Sequence, residues 1–246
     1  MAANKTLIYG RHPVLEALES GQTMEMVLLQ QGTRGELEKS VRRLTKAQNI
    51  PLKVVPKERL NRLTGGNHQG LIGFLSLLPY YRLEDVLPGI YEQSGNPLIV
   101  LLDGVTDVRN IGAIARSAEC MGAQALVIPL KGTGQLNADA IKSSAGALNR
   151  ITVCRERSLV TAIQLIKDFG IGVYASDLKA NKLIDQIDFS GPSAIVIGSE
   201  GEGVSSVLLK AASETFVIPQ RGQTDSLNAS VAAGVILYEA DRQRRQ

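Results

Sequence analysis

Several things are scarce in this 246-residue chain, and each scarcity closes a class of explanation. There are two cysteines, Cys120 and Cys154, and two histidines, His12 and His68. The cysteines stand far apart, lack ligand spacing and sit far from either histidine, so neither a disulfide framework nor a zinc site is expected, and both are read as buried free thiols. No apolar run approaches the roughly 18 residues that a membrane-spanning helix needs; Leu98 to Leu102 is typical of the longest. Met1 to Lys5 begins no secretory apolar segment, so a cytoplasmic location is the default expectation.

What is present suits a folded α/β chain. The composition is 44% hydrophobic, enough to bury one large core or two smaller ones. The net charge of +3 is unevenly spread. Residues 1–76 carry eleven Lys and Arg against six Asp and Glu, a net +5, while residues 77–246 carry a net −2. A basic N-terminal module can meet a polyanion, although so small an excess also serves solubility.

The N-terminal part alternates short helical and extended patterns. His12 to Ser20, Glu36 to Ala47 and Lys57 to Leu63 read as helices; Val27 to Leu29, Leu52 to Val55 and Leu71 to Leu77 read as strands. Residues 78–97, punctuated by proline and glycine, read as a linker with at most a short helix near Leu83 to Leu87. Beyond it, strand and helix patterns alternate. Strands are expected at Leu98 to Leu102, Ala125 to Ile128, Ile151 to Val153, Ile171 to Ala175, Ala194 to Ile197 and Thr215 to Ile218. Helices are expected at Ile111 to Met121, Ala138 to Leu148, Ser158 to Phe169, Val204 to Ala212 and Leu227 to Arg242. Apolar strands separated by helices of this length predict a parallel sheet covered on both faces, with ligand sites beyond the carboxyl ends of the strands.

Three polar clusters occupy such positions. The first, Asp103 to Arg116, places Asn110 before an apolar helix and Arg116 inside it. Asn110 has a ready reading as a helix cap. Arg116, set among small apolar residues, needs an anion, an exposed edge or a salt bridge to Asp103 or Asp107. The second, Gly198-Ser199-Glu200-Gly201-Glu202-Gly203, fits neither the dinucleotide-binding nor the P-loop spacing. It reads as a tight connection or as a loop whose carboxylates, favourable at a helix N-terminus, repel phosphate and suit a ligand with donors or positive charge. The third, Asp225-Ser226-Leu227-Asn228-Ala229-Ser230, puts a hydroxyl and a carboxamide where a loop becomes an apolar helix, as a cap or as ligand contacts. Arg242, Arg244 and Arg245 complement the C-terminal end of that helix and are otherwise expected in solvent.

Taken in order, Asp103 to Arg116, Gly198 to Gly203 and Ile218 to Ser230 resemble the three motifs of the SpoU (TrmH-like) branch of the SPOUT RNA ribose 2′-O-methyltransferases. Ile8-Tyr9-Gly10 with His12, and His68-Gln69-Gly70, resemble the substrate-binding domain of its 23S rRNA guanosine-2′-O-methyltransferase members. The likeness covers essentially the whole chain. It implies a small L30e-like α/β RNA-binding domain at residues 1–77, a linker at 78–97 and, at 98–246, a parallel-sheet methyltransferase domain with a deep trefoil knot. It further implies S-adenosylmethionine held largely by backbone at Gly198, Ile218 and Leu227, and a homodimer whose active site draws on both chains. Arg116 would be the central catalytic residue, with Asn110, Glu200, Ser226 and Asn228 around it; no metal and no membrane are implied. The substrate would be a guanosine ribose in the peptidyl-transferase loop of 23S rRNA, with a tRNA ribose methyltransferase or a non-catalytic RNA-binding, ribosome-assembly protein as alternatives. Two departures stand out: Val108 where many members have proline, and Gln220, Arg221 and Thr224 where apolar or small residues are usual.

Overall fold

The computed structural model describes residues 7–245; the stretch Met1 to Lys5 lies outside the described residues. The described residues divide into two compact units, one essentially residues 7–79 and the other residues 80–245, with Leu136–Ala138 grouped with the first.

The first unit contains β1 (Leu7–Tyr9), α1 (Arg11–Glu19), β2 (Met24–Gln30), α2 (Glu36–Ala47), β3 (Leu52–Val55), α3 (Lys57–Asn61) and β4 (Leu71–Leu75). Its sheet runs in the order β1-β4-β2-β3, with β4 antiparallel to both neighbours and β2 parallel to β3. Strand alternation splits β2 between two cores. Val27 and Leu29 join Val14, Leu18 and Val41 from α1 and α2, whereas Met26 and Leu28 join Leu60 of α3 with Val55, Ile72 and Phe74. The strand β1 is one that periodicity did not reveal, because three residues are too few to establish alternation.

The second unit begins with α4 (Leu83–Ser94) and continues through β5 (Leu98–Leu102), α5 (Val108–Cys120), β6 (Ala125–Pro129), α6 (Ala138–Ser143) and β7 (Thr152–Glu156). It ends with α7 (Leu159–Asp168), β8 (Gly172–Ser176), β9 (Ser193–Ile197), α8 (Ser206–Ala211), β10 (Glu214–Phe216) and α9 (Ala229–Arg244). Six strands form one wholly parallel sheet in the order β10-β8-β9-β5-β6-β7. Every residue of β5 and β9 is buried, as an unalternating apolar run in a doubly covered sheet requires. On one face Ile99, Leu101, Val173 and Val196 pack with Leu87 of α4, Ile163 of α7 and Leu208 of α8; α9 lies on β9 and along α5.

Some sequence expectations are corrected. The stretch from 78 to 97, read as a linker with at most one short helix, holds the twelve-residue α4, whose Leu83 and Leu87 are fully buried. Pro88 misled there: it lies in the second turn of the helix, and a helix whose apolar residues meet a core tolerates it. The helix expected over Ala138 to Leu148 stops at Ser143, because Ala145 and Gly146 adopt φ of 50° and 84°, and resumes as one 3₁₀ turn at Ala147–Asn149. Arg244 is not in solvent. It is half-buried and donates to the carbonyls of Phe189, Asn96, Pro97 and Gly191 at 2.8–3.1 Å, and that burial lowers its pKa from the ordinary arginine value. Of the two free cysteines only Cys154 is buried; Cys120 lies on the exposed side of α5, one turn beyond Arg116.

Candidate active site

A cavity of about 660 Å³ opens beyond the carboxyl ends of β8, β9 and β10. Its walls include Ser176 at the end of β8, Ile197 and Gly198 at the end of β9, and Ile218 just past β10. Leu227 and Ser226 close it from the segment before α9. All three residues expected to hold a cofactor, Gly198, Ile218 and Leu227, therefore line one hollow, together with Glu200 and Ser226.

The glycine loop after β9 is built for close approach. A methyl group at Gly198 would lie 2.0 Å from the Gly203 carbonyl carbon and 2.2 Å from the Val204 nitrogen, so only glycine fits. Ser199 and Gly203 exchange two backbone hydrogen bonds, 3.2 and 3.0 Å, which fold the residues between them into a closed turn. The Val204 expectation is also corrected: α8 starts at Ser206, so Glu200 and Glu202 do not sit in its first turn. The Asp103 carboxylate, just past β5, accepts the Ser205 N–H at 2.7 Å and ties the first cluster to the second.

The third cluster joins them through Asn228. Its Oδ1 accepts the backbone N–H groups of Ser230 (2.9 Å) and Val231 (3.3 Å), capping α9. Its Nδ2 donates to Glu200 Oε1 and, at 3.2 Å, to Asn110 Oδ1. Asn110 Nδ2 in turn donates to the same Glu200 oxygen at 2.9 Å. One carboxamide thus caps α9 through its oxygen and joins Glu200 and Asn110 through its nitrogen. Asn110 is not the cap of α5. Asp107 is, through its Oδ1 and the Arg109 N–H at 2.8 Å, which leaves the Asn110 side chain for Glu200.

Arg116 stands apart. It is exposed on α5, does not line the cavity and makes no hydrogen bond or ion pair among the described residues. The salt bridge to Asp103 or Asp107 does not form there; both carboxylates accept backbone N–H groups instead. Helix geometry puts Arg116 roughly 9 Å along the axis from Asn110 and on a different face. Asp177 and Lys179, immediately after β8, line the cavity although no motif marked them; their one signal was their position past a strand end. Among the described residues no group of three or more His, Cys, Asp and Glu side chains gathers as a metal site needs, and no helix is long and apolar enough to cross a membrane.

An open parallel sheet with a ligand-sized cavity at its strand ends, lined by Asp177, Lys179, Glu200, Glu202 and Asp225, defines an α/β protein equipped to hold a small polar molecule. Residues 97–238 match the SpoU rRNA methylase family, and residues 7–81 match the RNA 2′-O ribose methyltransferase substrate-binding family. The chain belongs to the SpoU rRNA methylase family and has its fold, a parallel-sheet domain with an N-terminal substrate-binding domain. It is 35% identical over 240 residues to an uncharacterized tRNA/rRNA methyltransferase of Synechocystis, covering 97% of this chain and 62% of that protein's length. A TrmH-family protein of Bacillus subtilis, YacO, is 32% identical over 99% of this chain and 98% of its own length. Among solved structures, the SpoU methyltransferase AviRb from Streptomyces viridochromogenes, in complex with the cofactor AdoMet, is similar with a TM-score of 0.62 at 25% identity, covering 97% of this chain and 90% of AviRb.

Proposed function

We propose that this chain is a cytoplasmic S-adenosylmethionine-dependent RNA methyltransferase acting on a ribose 2′-hydroxyl, with a guanosine in the peptidyl-transferase loop of 23S rRNA as its target. The observation that carries this reading is the union of the three clusters: Asn110, Glu200 and Asn228 bonded together beside a cavity lined by Gly198, Ile218 and Leu227. The cavity fits the cofactor. Its volume lies within the roughly 300–1,000 Å³ of small-molecule sites, and the absence of a side chain at Gly198 lets the Gly203–Val204 backbone pack directly against it, so this wall of the cavity is tight backbone. S-adenosylmethionine, when bound, supplies an electrophilic methyl group on a sulfonium. A ligand carrying positive charge also suits a hollow bordered by Glu200, Glu202 and Asp177.

Methylating a ribose hydroxyl demands that its oxygen be oriented and its developing negative charge be stabilised. Arginine is no base, since its guanidinium stays protonated. Arg116 therefore positions a substrate phosphate and stabilises the oxyanion, with the proton leaving through phosphate or water. Asn110, Glu200, Ser226 and Asn228 orient the ribose and hold the loops in register. Because Arg116 does not line its own chain's cavity, the site is completed by a second copy in a homodimer. This is supported by the exposed Val231, Val235 and Tyr238, spaced four and three apart along α9, next to α5. The trefoil knot belongs to the same reading. It is supported by the return of the chain from the edge strand β10, just past which Val217 pairs with Leu183, to α9 on β9 and α5. Residues 1–77 bind RNA and residues 98–246 carry the chemistry. Mapping 2′-O-methylation in total RNA with and without the protein tests the proposal: the expected result is one guanosine of 23S rRNA changing, and a change confined to tRNA overturns the target.

A further inference from the structure

The turn after β8 carries a side chain that the proposed chemistry leaves unused. Among the described residues that line the cavity at the strand ends, Lys179 is the only cation, set among the carboxylates of Asp177, Glu200, Glu202 and Asp225. It is exposed, and its Nζ makes no hydrogen bond or ion pair among the described residues. The next lysine along the chain, Lys182, is committed elsewhere: it pairs with Glu214 and does not line the cavity.

The backbone that carries Lys179 is pinned. Asp177 donates its N–H to the Phe216 carbonyl at 2.8 Å, which ties the turn to β10. Its Oδ1 accepts the Lys179 N–H at 3.1 Å and its carbonyl accepts the Ala180 N–H at 3.1 Å. The Lys179 side chain is what this turn leaves for a ligand. Several other donors that could hold an anion near the cavity are already spent. The Ser205 N–H goes to Asp103, the Gly203 N–H to the Ser199 carbonyl at 3.0 Å and the Glu202 N–H to Ser199 Oγ at 3.3 Å. At the start of α9, the Ser230 and Val231 N–H groups are taken by Asn228.

We infer that Lys179 holds the carboxylate of the cofactor's amino-acid part and so selects the complete S-adenosylmethionine molecule over one that lacks this group. The inference rests on the reading of the cavity as the cofactor site. The cofactor carries two positive groups, a sulfonium and an ammonium, and one negative group. The cavity offers its positive groups four carboxylates and its negative group a single ammonium. Without Lys179 the ligand's carboxylate meets like charge alone, which opposes binding. A compact charge on a long stem reaches a carboxylate from a turn whose backbone is already fixed.

The test is calorimetric titration of the full-length protein with S-adenosylmethionine and with its decarboxylated analogue, which keeps the sulfonium and the ammonium, at low and high salt. The variants are Lys179→Gln, Lys179→Arg and, as a control, Lys182→Gln. Native protein is expected to prefer the complete cofactor by at least about threefold, and the preference to narrow as salt rises. In Lys179→Gln the preference disappears or reverses, through weaker binding of S-adenosylmethionine with binding of the analogue undiminished. Lys179→Arg and Lys182→Gln keep the preference, and circular dichroism stays native throughout. Native protein that binds the two ligands equally, or a Lys179→Gln variant that keeps the native preference, overturns the proposal. The failures are distinguishable. Should native protein bind S-adenosylmethionine while Lys179→Gln keeps the preference, the role of Lys179 is refuted and the cofactor site stands. Should native protein bind neither ligand, the cavity is not the cofactor site and both readings fall. Should the preference follow Lys179 while no RNA is methylated, Lys179 stands and the RNA reading falls.

Discussion

Asn228 and Glu200 are joined side chain to side chain, the Asn228 carboxamide donating to the carboxylate while its oxygen caps α9. One residue therefore couples the stability of the last helix to the geometry of the site. Asn228→Ala should lose both roles, destabilising the protein by about 1 kcal/mol and depressing turnover. Asn228→Asp keeps the cap but sets a second carboxylate against Glu200, so urea unfolding should stay near native while turnover falls. Equal losses of stability in the two variants would deny the division of labour.

Gly198→Ala probes the tight backbone wall of the cavity. Its new methyl group has no room beside Gly203 and Val204, so the loop must shift, at a cost of about 1–3 kcal/mol. Calorimetric titration should show cofactor affinity reduced by at least about tenfold, since one wall of the cavity is that loop.

The two thiols should differ sharply. Burial pushes the Cys154 thiol up to about 12, with the charges of Glu156 and Asp85 adding to the effect, and the thiolate is the reactive form. Cys120 is exposed. In native protein at pH 8 a maleimide should label Cys120 alone, and Cys154 should react only after denaturation. Rapid double labelling of the folded protein would contradict the buried position of β7.

Glu156 makes a pH-dependent contribution. Burial raises its pKa above the ordinary value, outweighing the hydrogen bond it accepts from the Leu83 N–H at 2.6 Å. A carboxyl with a raised folded-state pKa adds stability that is fully present below the unfolded value of about 4.3 and is lost as pH rises through the folded value. Glu156→Gln keeps an acceptor for Leu83 and never ionises. Its melting temperature should match the native protein near pH 4 and exceed it at pH 7. The opposite order at pH 7 would show the ionised form to be favoured there.

Much of this fold is readable from residues because burial imposes pattern. The all-apolar β5 and the apolar run Ala194 to Ile197 in β9 announce a doubly covered parallel sheet, and the ends of such strands locate the cavity. The expectation failed where a local rule was outvoted. Pro88 and the neighbouring glycines concealed α4, whose Leu83 and Leu87 are held by tertiary packing. Ala145 broke a helix by adopting a backbone conformation that its side chain does not favour. Of the residues around the cavity, Asn228 was legible as a helix cap because a helix start restricts residue type, whereas Gly198 was singled out by the family resemblance alone. The donation from Asn110 to Glu200 was not, since the two are 90 positions apart and no periodicity records a long-range hydrogen bond. Nor was the isolation of Arg116, because a helical position says nothing of what a neighbouring helix leaves open.

That isolation makes Arg116 the sharpest test of the whole account. The decisive measurement is transfer of labelled methyl from S-adenosylmethionine to 23S rRNA by native protein and by Arg116→Ala, with cofactor and RNA binding measured in parallel. The account predicts a labelled guanosine 2′-oxygen with native protein, and turnover reduced by roughly 10²–10³ in the variant with both bindings retained. Near-normal turnover in a variant that binds RNA and cofactor would contradict it.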